Sequence, residues 1–149
     1  MPHAIPHRRT VLVIEDDPDQ RQTLQRQLEA RDVRVVVAVD GFDGLAALAR
    51  CHPDAVLSDI RMPAMDGLEF ARRMRRDPRY RGMPLIAVTG LNDLSDVEAT
   101  WCAGFDDHLP KPVSAQALDR VVDRVMRRSA GRPAPGTKVV CHQRPASSV

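Results

Sequence analysis

VLVIEDDPD, Val11 to Asp19, opens as four apolar residues and ends in acid. An unbroken run of Val, Leu and Ile reads as a strand covered on both faces, the pattern of a parallel sheet. Glu15, Asp16 and Asp17 then stand side by side, with Asp19 one proline beyond. Like charges at the end of a buried strand repel one another, and desolvation disfavours each charged form further. A positive partner is required there. Its nature is the functional question this chain poses.

The same short apolar run recurs along the chain. After VLVI (11–14) come VRVVVAV (33–39), DAVLS (54–58), PLIAVT (84–89) and DHLP (107–110), each bounded by turn residues. These read as strands. Helical spacing fills the gaps: Leu24 and Leu28 after Pro18, and Leu45 and Leu48 after the Asp40–Gly41 start. Leu68, Ala71 and Met74 follow Asp66, an N-cap residue, and Leu91, Leu94, Val97 and Trp101 make a fourth stripe. Val113, Ala117, Val121 and Val125 make the last. Strand and helix alternate five times, which means an α/β fold with parallel strands and crossover helices.

At 149 residues, with 43% hydrophobic and 28% charged residues, the chain suits one soluble domain with a proper core. The formal charge is +2, but 17 basic and 20 acidic residues between Thr10 and Arg128 make that part mildly acidic. The basic excess belongs to the ends, which argues against nucleic acid as a direct partner. No run reaches the roughly 20 apolar residues that span a bilayer, and the start lacks the apolar stretch of a signal peptide. No membrane partner is expected. Residues 1–9 are expected to be a flexible N-terminal segment, 10–128 the folded domain, and the Pro-, Gly- and Ser-rich 129–149 a disordered tail. Those lengths hold no second domain and no helix-turn-helix. Cys51, Cys102 and Cys141 are widely spaced and read as reduced thiols, in keeping with a cytoplasmic protein. The five histidines show no metal-ligand spacing.

In open parallel sheets, ligands bind beyond the carboxyl ends of the strands. Glu15 and Asp16 lie there on the first strand, Asp59 on the third, Thr89 on the fourth and Lys111 just past the fifth. Three acids, a hydroxyl and an ammonium suit a hard divalent cation together with an anionic group. Mg²⁺ takes one or two carboxylates, several waters and phosphate oxygens. An aspartate in such a place can act as a nucleophile on phosphorus. Pro63 and Gly67 shape the loop behind Asp59, and Gly90 adds no side chain beside Thr89. The basic cluster Arg72, Arg73, Arg75, Arg76, Arg79 and Arg81 reads as a solvated helix face followed by a basic loop. Met62 and Met65 read as loop packing, and Asp17 as a solvated or capping acid.

EDD at 15–17, DIRMPAMDG at 59–67, VTG at 88–90 and KP at 111–112, in that order and each at a strand end, resemble the receiver domain of two-component response regulators, of the single-domain chemotaxis-regulator type. The resemblance implies a flavodoxin-like (βα)5 fold, with five parallel strands ordered 2-1-3-4-5 and helices on both faces. It implies a phosphoryl group accepted on Asp59 from a sensor histidine kinase or phosphotransfer protein, with Mg²⁺ held by Asp16, Glu15, Asp59 and the Arg61 backbone carbonyl. Lys111 and Thr89 would bind the phosphoryl group, and the Lys111–Pro112 bond would be cis, at only ~1 kcal/mol for proline. An unidentified downstream protein, or a second copy of the chain, would read the surface of the fourth helix, fifth strand and fifth helix. His108 departs from the pattern, standing where the family usually has Tyr or Phe. Its protonation is expected to bias the ring outward and weaken the activated state. Two alternatives are a receiver-like scaffold that is never phosphorylated and a receiver cut from a hybrid kinase. An aspartate-nucleophile phosphatase of the haloacid dehalogenase type would need an acid where Arg61 stands.

Overall fold

In a computed structural model of the chain, residues 8–90 and 97–128 are described. Five parallel strands run in the order β2-β1-β3-β4-β5: β1 Thr10–Ile14, β2 Arg34–Ala38, β3 Ala55–Asp59, β4 Leu85–Thr89 and β5 Asp107–Pro110. The helices are α1 Pro18–Glu29, α2 Gly41–Cys51, α3 Gly67–Arg76, α4 Val97–Ala103 and α5 Ala115–Arg128, with one turn of 3₁₀ helix at Pro78–Tyr80. The fold class and strand order expected from the resemblance are those observed.

Alternation along each strand divides the interior into two cores. Leu12, Ile14 and Val56 face Leu48 of α2, Phe70, Ala71 and Met74 of α3 and Ala103 of α4. Val11, Val13 and Leu57 face Leu24 and Leu28 of α1 and Leu118, Val121 and Val125 of α5. β1, β3 and β4 are central strands with almost every residue buried, which is why their sequences run apolar without a break. β2 is an edge strand. Its valines are less covered, and Val37 and, just beyond the strand, Val39 are exposed.

Helix starts follow local chemistry. Asp17, Asp40 and Asp66 each accept a backbone N–H of the first turn, closing the N-termini of α1, α2 and α3. Asp17 is therefore a capping acid. On the fourth helical stripe Val97 and Trp101 are helical, with Trp101 half-buried; Leu91 and Leu94 lie outside the described residues, as do the tail, Cys141 and residues 1–7 of the N-terminal segment. Val113 packs on the core from just before α5. Met65 is buried over Gly41, and Met62 packs on the same core, as loop residues should.

Two expectations need correction. Cys51 is free, but Cys102 on α4 is disulfide-bonded. Separation along the chain says little about distance in space, which alone decides pairing. The arginine cluster is also not a uniform solvated face. Arg72 and Arg73 pair with Glu69 on the surface, and Arg79 pairs with Asp77. Arg75 instead turns inward, with 17% of its side chain exposed. Its guanidinium donates to the carbonyls of Gly104 (2.9 and 3.0 Å), Tyr80 (2.7 Å), Arg81 (3.1 Å) and Met83 (2.9 Å), and to Asp106 Oδ2 (2.9 Å). Five donors in a rigid fork suit such a knot of carbonyls. Gly104 leaves room for it: at φ +121° a Cβ would meet Arg75 Cγ at 2.6 Å. Arg75 thereby ties α3 to the segments that precede β4 and β5.

Replacing Arg75 by Met should remove the donor that four carbonyls and the Asp106 carboxylate share, at a cost of ~3 kcal/mol. Arg72→Met, on the exposed face, should stay within ~0.5 kcal/mol of wild type. Urea unfolding decides, and equal costs for the two variants would contradict the anchoring role.

Candidate functional site

The acids of EDDPD divide between two tasks. The Glu15 amide donates to Ala38 O at 3.1 Å, extending the pairing of β1 with β2 by one residue and holding Glu15 at the strand end with 3% of its surface exposed. Asp16 is exposed, while Asp17 turns away to accept from the amides of Asp19 (2.9 Å) and Gln20 (3.2 Å). Arg21, one turn into α1, reaches back to the Glu15 carbonyl at 3.0 Å.

Asp59 is the last residue of β3, which pairs with β1 in the centre of the sheet, so Asp59 comes beside Glu15 and Asp16. One carboxylate oxygen each of Glu15, Asp16 and Asp59 fall within 4.8 Å of one another. Asp59 Oδ1 accepts the Ile60 amide at 2.8 Å, which fixes the rotation of the carboxylate. Its Oδ2 faces Lys111 Nζ at 3.2 Å, and the same ammonium lies 3.3 Å from Glu15 Oε1. Lys111 follows β5 directly; its amide donates to Thr89 O at 2.7 Å, and its bond to Pro112 is cis. Thr89 ends β4 and is buried. Glu15, Asp16, Asp59, Thr89 and Lys111 thus all stand at one edge of the sheet.

The charges do not balance. Three carboxylates share one ammonium, and the pocket is partly closed to water. Burial, and then the neighbouring Asp59, push Glu15 up to about 7, against the Asp17 amide and Lys111, which pull it down. For Lys111 burial acts to lower the pKa, yet Asp59 and Glu15 outweigh it and hold the ammonium above its usual range. A site with surplus negative charge and oxygen donors of this kind fits a hard divalent cation such as Mg²⁺. Asp16, the exposed member of the three acids, offers its oxygens to such an ion directly.

Behind Asp59 the loop is drawn tight. A Cβ on Gly67 would meet Asp59 O at 2.2 Å and Ile60 Cα at 2.8 Å, both backbone atoms, and the Gly67 amide donates to Ile60 O at 2.7 Å. Only glycine permits that approach. Arg61 and Pro63 are exposed on the loop between, and they line a shallow hollow with Met62, Asp66 and Leu68. On the other side a groove of about 450 Å³ runs from Glu15 and Lys111 between α1 and the turn after β5, walled by Leu24, Val88 and Val113. Sequence reading did not find this groove. Its only trace is the spacing Gln20–Leu24–Gln27, which marks one face of α1.

His108 sits away from the acids. Its Nε2 lies 2.9 Å from Thr100 Oγ1 on α4, and its ring rests beside Trp101 with centroids 4.9 Å apart. Burial holds the imidazole below the ordinary histidine range, opposed by Asp107.

Because Glu15 titrates at about 7 in the folded chain and near 4.5 when unfolded, the folded state holds the extra proton between those values. Stability therefore falls as pH rises from about 4.5 to 7. In metal-free protein Glu15→Gln should raise the thermal midpoint by a few °C at pH 8, ~1 kcal/mol, with the gap closing toward pH 5. Thermal unfolding across that range in chelator checks this, and a gap independent of pH would contradict it.

Comparison with known proteins agrees with this geometry. The family model of the response regulator receiver domain matches residues 11–123. Over 119 residues the chain is 38% identical to the transcriptional regulatory protein AfsQ1 of Streptomyces coelicolor, covering 80% of this chain and 52% of that protein. The chain thus spans about half the length of that relative. Among solved structures, the receiver domain of the sensor histidine kinase PA1611 from Pseudomonas aeruginosa, described with a magnesium ion coordinated in its active site cleft, superposes with a TM-score of 0.75 at 30% identity, covering 81% of this chain and 99% of that one. The chemotaxis response regulator CheY4 of Vibrio cholerae gives 0.74 at 27%, covering 80% and 99%. By its fold, its acidic strand ends and this match over most of its length, the chain belongs to the response regulator receiver domain family of two-component signalling.

Proposed function

We propose that this chain is a phosphorylation-switched signalling module that takes a phosphoryl group onto Asp59. The observation that carries the reading is the position of Lys111 Nζ, 3.2 Å from Asp59 and 3.3 Å from Glu15 at the mouth of the sheet. A carboxylate oxygen of Asp59 attacks the phosphorus of a phosphohistidine on a sensor kinase or phosphotransfer protein. The new P–O bond gives an acyl phosphate, and the breaking P–N bond returns its electron pair to the donor's imidazole. Lys111 then pairs with a phosphoryl oxygen, and the Thr89 hydroxyl donates to another. Asp16, Glu15, Asp59 and the Arg61 carbonyl would hold Mg²⁺. Bound there, the ion would offset charge on the transferring group, which is the main demand of phosphoryl transfer.

The chemistry is confined to the chain's own Asp59, so the module acts as a switch and not on external substrates. Pro63 and Gly67 keep the approach to Asp59 narrow, and Pro112 positions Lys111. The output is a change in the surface of α4, β5 and α5, read by a protein partner or by a second copy of the chain. Among the described residues no helix is long and apolar enough to cross a membrane. We place the module in the cytoplasm, where its kinases deliver phosphoryl groups. Residues 10–128 are the working domain in this reading.

With Mg²⁺ and a small phosphoramidate donor, intact-mass measurement should show one added phosphoryl group. Asp59→Asn should abolish it, since an amide is not a nucleophile here, and Asp16→Ala should slow it ~100-fold or more while the fold persists. Equal labelling of the Asn variant would refute Asp59 as the acceptor. Cutting after Arg128 removes Cys141 but no site residue, so labelling of Asp59 should persist, and its loss on truncation would contradict residues 10–128 as the working domain.

A further inference from the structure

α4 buries little apolar surface. Over Val97–Ala103 it buries only Thr100 and Ala103, a methyl-bearing hydroxyl residue and a single methyl. α3, by contrast, buries Phe70, Ala71 and Met74. So little apolar area leaves α4's placement to the Cys102 disulfide and to polar contacts.

One such contact joins Thr100 to His108, and the hydroxyl's second partner sets its direction. Thr100 Oγ1, on a residue 1% exposed, lies 2.7 Å from Val97 O and 2.9 Å from His108 Nε2. A carbonyl can only accept, and a hydroxyl has a single proton, so that proton goes to Val97. The imidazole must then donate its Nε2–H to Thr100. Neutral imidazole in this tautomer and imidazolium both carry that proton, so the contact holds in either state. On β5, His108 is in register with Ala87, whose lone methyl leaves the ring room on the α4 face. Trp101, the next residue of α4, leans its ring against the same imidazole.

We propose that in this chain α4 is held to the sheet by a polar latch, His108 Nε2–H to Thr100 Oγ1, and that the latch sets the α4 surface which a protein partner meets. The partner-facing half of the proposal rests on the function proposed above; the latch itself does not. Loss of the latch should free the C-terminal half of α4 without disturbing the acidic site, because α4 contributes no residue to it.

The test is amide hydrogen exchange on the unmodified, metal-free chain. Thr100→Val keeps the shape and removes the acceptor. It should speed exchange of Trp101 to Phe105 about five- to tenfold, the effect of one lost hydrogen bond, and leave β1 and β3 within twofold of wild type. Thr100→Ser should restore protection. Trp101 is the chain's only tryptophan, so its emission should shift in the Val variant and return in the Ser variant. If Thr100→Val does not fold, His108→Phe, which keeps a ring and removes the donor, should give the same local acceleration. Unchanged protection in the variants, a serine variant as loose as valine, or equal acceleration in every element would each overturn the latch. Since no phosphoryl donor is present, those outcomes leave the assignment of Asp59 to its own labelling experiment.

Discussion

One ammonium faces three carboxylates at the mouth of this sheet, and most of the fold serves to hold that imbalance in place. Left alone, Glu15, Asp16 and Asp59 would spread apart or protonate; burial, and after it the neighbouring Asp59, push Glu15 up to about 7. Backbone restraint opposes the spreading. Glu15 is pinned by its amide to β2, Asp59 by the Ile60 amide on its own carboxylate, and Lys111 by its amide to β4. That repulsion is what a divalent cation would relieve.

The two cores make that restraint possible. Central strands buried on both faces supply rigid ends, and the acids are set at those ends, where the backbone still belongs to the sheet. Gly67 lets the start of α3 close against the Asp59 backbone, so Asp59 is braced from behind. Farther out the bracing becomes polar. Arg75, on α3, gathers five separate acceptors from the segments before β4 and β5, and His108 reaches α4 through one hydroxyl. Toward α4 buried apolar area gives way to polar contacts and the Cys102 disulfide.

Much of this was legible in the chain. Apolar runs such as VLVI and LIAVT marked central strands because a parallel sheet leaves no polar face, and the acids stood out as the residues directly after those runs. Caps at Asp17, Asp40 and Asp66 were equally local. The features that escaped depend on distance in space. Arg75 looks no different from Arg72 or Arg76 in sequence, since only the fold brings Gly104, Tyr80 and Asp106 around it. The Thr100–His108 contact joins a helix to a strand that gives no sign of the pairing. The disulfide of Cys102 and the groove beside α1 are invisible for the same reason.

The central claim is that the acidic pocket is a cation site charged against itself. Calorimetry of Mg²⁺ binding at pH 7, run in two buffers of different ionisation enthalpy, tests it most directly. With Glu15 titrating at about 7, roughly half a proton should leave per ion bound, and Glu15→Gln should abolish the difference between buffers. Binding that releases no proton in wild type, or that releases the same fraction from Glu15→Gln, would contradict the account.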